Sequence, residues 1–450
     1  MAAPCIHVVF LLCLVPATVA SPHRNLRKSP VDIAAAAPSP ADASRPTTFF
    51  EVDRPLRPPP GSSGPCSTLL LSSSFAFTFT KLPAIAAYSP PPCLAAAGGR
   101  ASAISLAVLE WHATCRGLQY ASLLAAGNST LAVFVENLVN NQYTDVYYAN
   151  VTLHLYFRRT PTRPPPAVAP ADLIVPMSRG LPLNDGLCSP FREVTVRVDG
   201  VLAGAAWPFP VIFTGGMDPL LWRPITGIGS FNLRTYDVEA TPLLCKMLDG
   251  KAHVFAFAVT NLHLWLDPGS TATAAGLVSY VAPELAPATA SSRTTASRQV
   301  SATGWVKSSY GNITRNATQT FDFDNTNAGE KVNQTTVAHA GVAATDVAGV
   351  LYYSMQMRQS FPLFLDSGPD QVTVTHGLEE TVAAGRWSSG PRYQSLRNTQ
   401  RSSVAGASWG IRQTYRYEAT DRCYLRNVTS SGYSIVADQS SEACVKGPLR

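Results

Sequence analysis

Residues 74 to 80 read Ser74-Phe75-Ala76-Phe77-Thr78-Phe79-Thr80, and this alternation decides the class of fold. Successive side chains of a strand point to opposite faces, so the three phenylalanines share one face. The same period of two returns in Leu131-Ala132-Val133-Phe134-Val135 and in Val151-Thr152-Leu153-His154-Leu155-Tyr156-Phe157. Each run is ended by Gly, Asn, Asp or Pro. Glu193-Val194-Thr195-Val196-Arg197-Val198 closes on Asp199-Gly200, the residue pair of a two-residue hairpin. No long segment carries helical periodicity. The reading is an all-β chain, with jelly-roll or β-sandwich domains in tandem and a further C-terminal β domain.

Composition narrows the classes further. In 450 residues, 46% are hydrophobic and only 14% charged, against about 25% charged in ordinary domains. A core can be buried, and a disordered chain or a charged coiled coil is excluded. The net charge of +6 is spread along the chain without a Lys/Arg block, so no nucleic-acid partner is expected.

Residues 1–20 read as a signal peptide, with an apolar run over 5–15 and small residues up to Ala20. That run is too short to span a bilayer, and no membrane association is expected. Residues 21–47 are Pro-, Ala- and Ser-rich and read as a disordered leader or propeptide. A first β-sandwich domain is expected over 48–158, a Pro-rich linker over 159–170 and a second sandwich over 171–267. A Ser/Thr/Ala-rich linker over 268–300 and a C-terminal β domain over 301–450 complete the chain. One junction is odd. Two strand-like runs, 253–260 and 262–266, are separated only by Asn261, and one residue cannot turn an antiparallel pair. Either this is one very long strand or a connecting piece is absent.

Six glycosylation sequons, at Asn128, Asn150, Asn312, Asn316, Asn333 and Asn427, fit passage through the secretory route. Removal of the leader takes two of the nine cysteines and leaves seven, an odd number for an oxidising compartment. Cys423 and Cys444 flank two strand-like runs and are expected to pair; a Cys66–Cys93 bond is the second expectation.

No zinc spacing, nucleophile elbow, phosphate loop or dinucleotide fingerprint is present, so nucleophile-triad chemistry has no local support in the sequence. His154 and His263 read as ordinary half-buried strand histidines. Carboxylates in apolar settings are the candidates for acid/base chemistry, since desolvation raises a carboxyl pKa. They are Glu110 before Trp111, Glu193 after Phe191-Arg192, and Asp185 in Leu183-Asn184-Asp185-Gly186. The bland alternatives are a turn for Asp185 and a strand-end pair for Arg192 and Glu193. Asp237 and Glu239 share one strand face, which is either chemical or simply solvated. Trp207, Trp222 and Arg223 stand in Gly- and Pro-shaped loops. An indole stacked on a sugar ring beside a guanidinium donor suits glycan binding; the alternative is that the tryptophans fill the core.

Together these stretches resemble a known family. They are Phe49-Phe50-Glu51-Val52, Leu109-Glu110-Trp111 with Thr114-Cys115-Arg116-Gly117, Leu181 to Gly186, Pro190 to Val194, the Trp207 to Gly216 loop, Leu221 to Phe231 and Asn261 to Asp267. The chain is similar to plant peptide-N-glycosidase A from about residue 48 onwards. The resemblance implies a cofactor-free amidase of secreted or vacuolar compartments that acts on N-glycopeptides or N-glycoproteins. It would cleave the amide between the Asn side chain and the innermost N-acetylglucosamine. It also admits proteolytic processing into two associated chains. Glu110, Glu193 and Asp185 are then the catalytic candidates, and Arg192, Trp207, Trp222 and Arg223 the substrate-binding ones.

The chain departs from the family pattern at three places: after Leu118, after Gly186 and at Asn261. At the first two, stretches that carry acidic residues in aromatic settings are short or absent. The expectation is an impaired amidase. The other readings are a non-catalytic glycan-binding glycoprotein and a mis-spliced gene product.

Overall fold

The computed structural model describes residues 5–6, 51–59, 61–75, 84–97, 103–111, 115–118, 129–133, 147–157, 173–176, 192–212, 218–230, 235–256, 261–267, 269, 272–285, 287–309, 311–386 and 390–443. Strands dominate it. The first are β1 (Cys5–Ile6), β2 (Cys66–Phe75), β3 (Ala84–Tyr88), β4 (Ile104–Trp111), β5 (Cys115–Leu118), β6 (Ser129–Val133) and β7 (Tyr147–Phe157). They form a four-stranded sheet in the order β2-β7-β4-β5 and a three-stranded sheet in the order β1-β6-β3. Only Phe75 of the opening phenylalanine run falls within the described residues, at the end of β2.

One core serves both sheets. Phe75, Tyr88, Leu109 and Val133 are buried in it with Val151, Leu153 and Leu155. The period of two in β7 is the cause. Val151, Leu153 and Leu155 face inward, and Thr152, His154 and Tyr156 face the other way, partly exposed. The Cys66–Cys93 disulfide, with Cα atoms 6.4 Å apart, ties β2 to the short helix α1 (Pro92–Ala96). Proline stands at the first turn of α1, where its missing N–H has no intrahelical role.

The middle of the chain holds β8 (Leu173–Pro176), β9 (Val194–Val198), β10 (Val201–Ala206), β11 (Phe255–Ala256) and β12 (Asn261–Leu264). β9 and β10 form the expected hairpin: Asp199 and Gly200 both take positive φ, 48° and 81°. The odd junction is resolved as two strands in different sheets. β11 pairs with β9, whereas β12 pairs with β8.

The rest of the chain builds one long antiparallel sheet. Its strands are β13 (Ala274–Val281), β14 (Ala288–Ala290), β15 (Arg293–Ser308), β16 (Gly311–Ala328), β17 (Lys331–Thr345), β18 (Leu351–Ser367), β19 (Val372–Arg386), β20 (Gly390–Ala405), β21 (Ser408–Ala419), β22 (Cys423–Ser431) and β23 (Ser434–Ser441). The order is β13-β15-β16-β17-β18-β19-β20-β21-β22-β23, with β14 added beside β15. The stretch read as a linker, 268–300, therefore supplies β13, β14 and the first half of β15. Its threonines and small residues suit a pleated surface as well as they suit a linker.

The middle segment packs directly on this sheet and also holds a small cluster of its own around Val198, Ala203 and Leu243. Trp207 lies with Ala296, Phe321 and Phe323, and Leu221 and Trp222 lie with Val374 and Val404. Val52 and Ile225 lie with Ile411, Tyr415 and Val428. Gln319 fixes the register between the two layers. Its amide accepts from Ala205 N–H at 2.9 Å and donates to Ala205 C=O at 3.1 Å, so one side chain replaces a strand neighbour for β10. The inner face of the sheet is unusually rich in buried amides. Asn325 donates to Gln334, Gln359 to Glu380, and Gln400 to both Gln413 and the Thr226 carbonyl. Buried amides are tolerated because most of their polar atoms find partners; Gln400 Oε1 has none among the described residues.

Candidate functional site

The β9–β10 hairpin sets Val194 opposite Ala206, which brings Glu193 and Trp207 together at its open end. Trp207 Nε1 donates to Glu193 Oε1 at 3.1 Å, and the indole stacks on Phe321 with centroids 5.1 Å apart. From β15, Arg298 donates through Nε to Oε1 at 2.7 Å and through Nη2 to Oε2 at 2.6 Å. Its Nη1 donates to the Pro283 carbonyl at 2.8 Å. The two charged side chains are only 5% and 11% exposed. Burial pushes the Glu193 carboxyl up, but hydrogen bonds from Arg298 and Trp207 and the charge of Arg298 outweigh it, so its pKa is lowered. Both oxygens are engaged and the group is held ionised. That suits an anchor for Trp207 and not a carboxyl poised to exchange a proton.

Beside this anchor lies a pocket of about 180 Å³, lined by Arg192, Trp207, Pro210, Phe323, Gln334 and Thr336 among others. Pockets for drug-sized ligands start at about 300 Å³, so this one suits a single ring. Its walls are apolar and aromatic with one amide and one hydroxyl, and Arg192 lies exposed at its edge; Trp207 itself is 2% exposed, so its indole is mostly packed and presents little free face.

Glu110 belongs to a different sheet and a different core. On β4, its Oε2 lies 2.9 Å from His154 Nε2 on β7, and His154 Nδ1 lies 2.8 Å from Ser67 Oγ on β2. The structure thus brings Glu193, Arg192 and Trp207 together and leaves Glu110 elsewhere. Asp185 lies outside the described residues.

Trp222 contradicts the cleft reading. It is 2% exposed and belongs to the core with Leu221, Val374 and Val404. The reason is the 3-10 turn Pro219–Trp222, capped by Asp218 through Leu220 N–H, which points the indole down onto the long sheet. Arg223 follows it half-buried, and its carbonyl accepts from Trp409 Nε1 at 3.1 Å. Glu239 caps the next 3-10 turn through Thr241 N–H, a local structural role.

Three features were not read from the sequence. Arg298 sits in the stretch read as a linker. His253 is held between two carboxylates, Asp199 Oδ2 at 2.8 Å from Nδ1 and Asp249 Oδ1 at 2.9 Å from Nε2. His376 is 1% exposed and stacks on Phe209 at 4.6 Å, with no hydrogen-bond partner for either ring nitrogen among the described residues. Two Gly-free alternating runs, 293–303 and 372–376, were the available signals for Arg298 and His376.

Among the sequons, Asn150, Asn312 and Asn333 are exposed, Asn316 and Asn427 are half-buried, and Asn128 lies outside the described residues. Asn316 Nδ2 also donates to Thr303 Oγ1 at 2.8 Å. Cys423 is disulfide-bonded, and its expected partner Cys444 lies outside the described residues. Cys245 is free. Among the described residues no cluster of His, Cys, Asp and Glu could hold a metal ion, and no helix is long and apolar enough to cross a membrane.

Comparison with known proteins gives two matches. The family model described as Peptide N-acetyl-beta-D-glucosaminyl asparaginase amidase A matches residues 184–282. A Prunus dulcis protein, Peptide-N4-(N-acetyl-beta-glucosaminyl)asparagine amidase A, is 32% identical over 553 aligned residues that cover 92% of this chain and 95% of the relative. With 553 aligned positions against 450 residues, at least 103 positions hold no residue of this chain. No solved structure matches.

Proposed function

The chain belongs to the peptide-N4-(N-acetyl-beta-glucosaminyl)asparagine amidase A family, and from that premise we propose that it acts on N-glycopeptides as an amidase of reduced turnover. The observation that carries the activity is the 32% identity spanning 95% of the Prunus dulcis amidase. In this reaction water adds to the side-chain carbonyl of the glycosylated asparagine, the C–N bond breaks, and Asp and a glycosylamine are released. Such chemistry needs a carboxyl within hydrogen-bond reach of the attacking water and donors for the developing oxyanion.

Several features support the reduced turnover. At least 103 aligned positions of the relative have no counterpart here. Of the three candidate carboxylates, Glu193 is consumed by Arg298 and Trp207. Glu110 lies on a different sheet, with its Oε2 2.9 Å from His154 Nε2, so neither described candidate offers an unengaged carboxyl beside the pocket. The Arg192–Trp207 pocket is the proposed seat of the innermost sugar. The apolar run at 5–15 and the exposed sequons support passage through the secretory route to the vacuole or the cell exterior; processing into two associated chains belongs to the same reading.

The pocket also favours a second reading, a glycan-binding protein without turnover. Its lining comes from 192–212 and the long strands. One experiment separates the two. Purified protein is incubated with a fucosylated N-glycopeptide at about pH 5, released glycan is followed by mass spectrometry, and binding is titrated in parallel. Binding with slow release supports the proposal, and binding without release supports the second reading. Neither binding nor release, from protein that melts cooperatively, rejects both.

A further inference from the structure

The four-stranded sheet carries a second constellation that amide cleavage at the pocket does not use. Strands β2, β7 and β4 are neighbours, Ser67 is the register partner of His154, and Glu110 is two residues beyond His154's partner Val108, opposite Thr152. Ser67, His154 and Glu110 therefore stand in one row on the face turned away from the core. Ser67 Oγ is 2.8 Å from His154 Nδ1, and His154 Nε2 is 2.9 Å from Glu110 Oε2.

The chemistry of the partners orders the protons. An ionised carboxylate only accepts, so the ring nitrogen facing Glu110 carries the hydrogen. In the neutral ring the other nitrogen, Nδ1, is then an acceptor, and the hydrogen between it and Ser67 belongs to the hydroxyl. A nucleophile and a base in hydrogen-bond reach, with a third group orienting the base, is the arrangement that activates a serine. The roles are those of the serine–histidine–acid triads, with the two ring nitrogens exchanged. Ser67 itself is exposed, so an electrophile can approach it.

We infer that Ser67 is an activated nucleophile, with His154 as its base and Glu110 as the residue that orients the ring, and that this face takes activated acyl esters. Ser67 Oγ bonds to the ester carbonyl carbon while its proton passes to His154 Nδ1. The ester C–O bond breaks, and the leaving alkoxide takes that proton from His154. Water, deprotonated by the same nitrogen, then releases the carboxylic acid and restores the hydroxyl. Glycopeptide cleavage is not required for any of these steps, so the inference stands apart from the proposed amidase activity.

A fluorophosphonate probe tests it on the full chain. Folded and urea-unfolded protein are labelled side by side, and modified serines are located by peptide mass spectrometry. Ser72 and Ser74, exposed on the same strand, serve as internal references. Labelling of Ser67 in the folded protein at least ~100-fold above these two, and its loss on unfolding, is expected from a positioned base. His154→Gln should lower the labelling rate by a similar factor, with the melting temperature recorded for each variant. Ser67 left unmodified in the folded protein, or labelled no faster than Ser72 and Ser74, overturns the inference and leaves the row as cross-strand polar pairing.

Discussion

Arg298 grips both carboxylate oxygens of Glu193 across 105 residues of sequence, and the pair is nearly closed to solvent. One partner opens the β9–β10 hairpin, and the other lies on β15, the second strand of the long sheet. The pair therefore fastens the hairpin that carries Trp207 to the strand beneath it.

Removing one partner of a buried ion pair leaves a stranded charge and costs about 3–5 kcal/mol. Arg298→Met is expected to destabilise the chain by that amount, as read by denaturant unfolding. Replacing both residues, Glu193→Leu with Arg298→Met, should cost less than the sum of the single changes. A Glu193→Gln variant that keeps its melting temperature but loses glycopeptide turnover would return Glu193 to the catalytic role.

Trp222 is expected to behave as a core residue. Trp222→Ala should destabilise by about 3–5 kcal/mol, the range for large aromatic deletions. Arg192→Ala, at the exposed mouth of the pocket, should weaken oligosaccharide binding with a change in melting temperature of no more than a degree or two. Weaker binding in the Trp222 variant without loss of stability would contradict the packing.

Two histidines should tilt stability in opposite directions with pH. The hydrogen bond to Asp199 and the two nearby carboxylates hold His253 above its ordinary 6.5. Its contribution is complete below about 6.5 and is lost as pH rises through the raised value. Asp199 is held below its ordinary 3.8, chiefly by the Val254 N–H and then by His253, so its own contribution fades only as pH falls through that lowered value. The clamp is therefore strongest in mildly acidic solution. His253→Gln should flatten the fall in melting temperature between pH 6 and 8.

His376 works against acid. Burial pushes its pKa down from 6.5 to about 3. Between those values the unfolded chain binds a proton that the folded chain does not, so stability falls as pH falls through 6.5. At pH 5 the loss is about 2 kcal/mol. His376→Leu should remove this slope, and a chain as stable at pH 5 as at pH 7 in the wild type and variant alike would refute it, once the His253 contribution is subtracted with the double variant.

The Cys66–Cys93 bond closes a loop with a sequence separation of 27. Loop-closure entropy puts its contribution at about 3.5 kcal/mol. Cys66→Ala with Cys93→Ala should lower stability by up to this amount, measured by thermal melting of the non-reduced proteins.

Period-two alternation was enough to read the class of fold, because it is a local property: in β7 the inward residues from Ala149 to Phe157 are apolar, and Asn150, Thr152 and His154 alternate with them on the outward face. The hairpin at Asp199-Gly200 was legible for the same reason, since only residues that accept positive φ turn two strands in two positions. The family was legible in short runs such as Leu221 to Phe231. None of these requires knowing what lies opposite.

The site was another matter. Glu193 looks alike in sequence whether it meets water or a guanidinium, and its partner Arg298 lies in a Ser/Thr/Ala-rich stretch that reads as a linker. Trp222 stands in a loop of glycine and proline, yet a 3-10 turn and the long sheet below draw it inside. The inner face of that sheet hid its own burial, because buried amides such as Asn325, Gln334, Gln359, Gln400 and Gln413 break the apolar alternation that marks a core face. Ser67, His154 and Glu110 are 87 and 44 residues apart along the chain, and only the pairing of three strands sets them in a row. Sequence fixes which residues alternate. The charge state and reach of a side chain depend on what a distant strand places beside it, and that was decided by the tertiary structure.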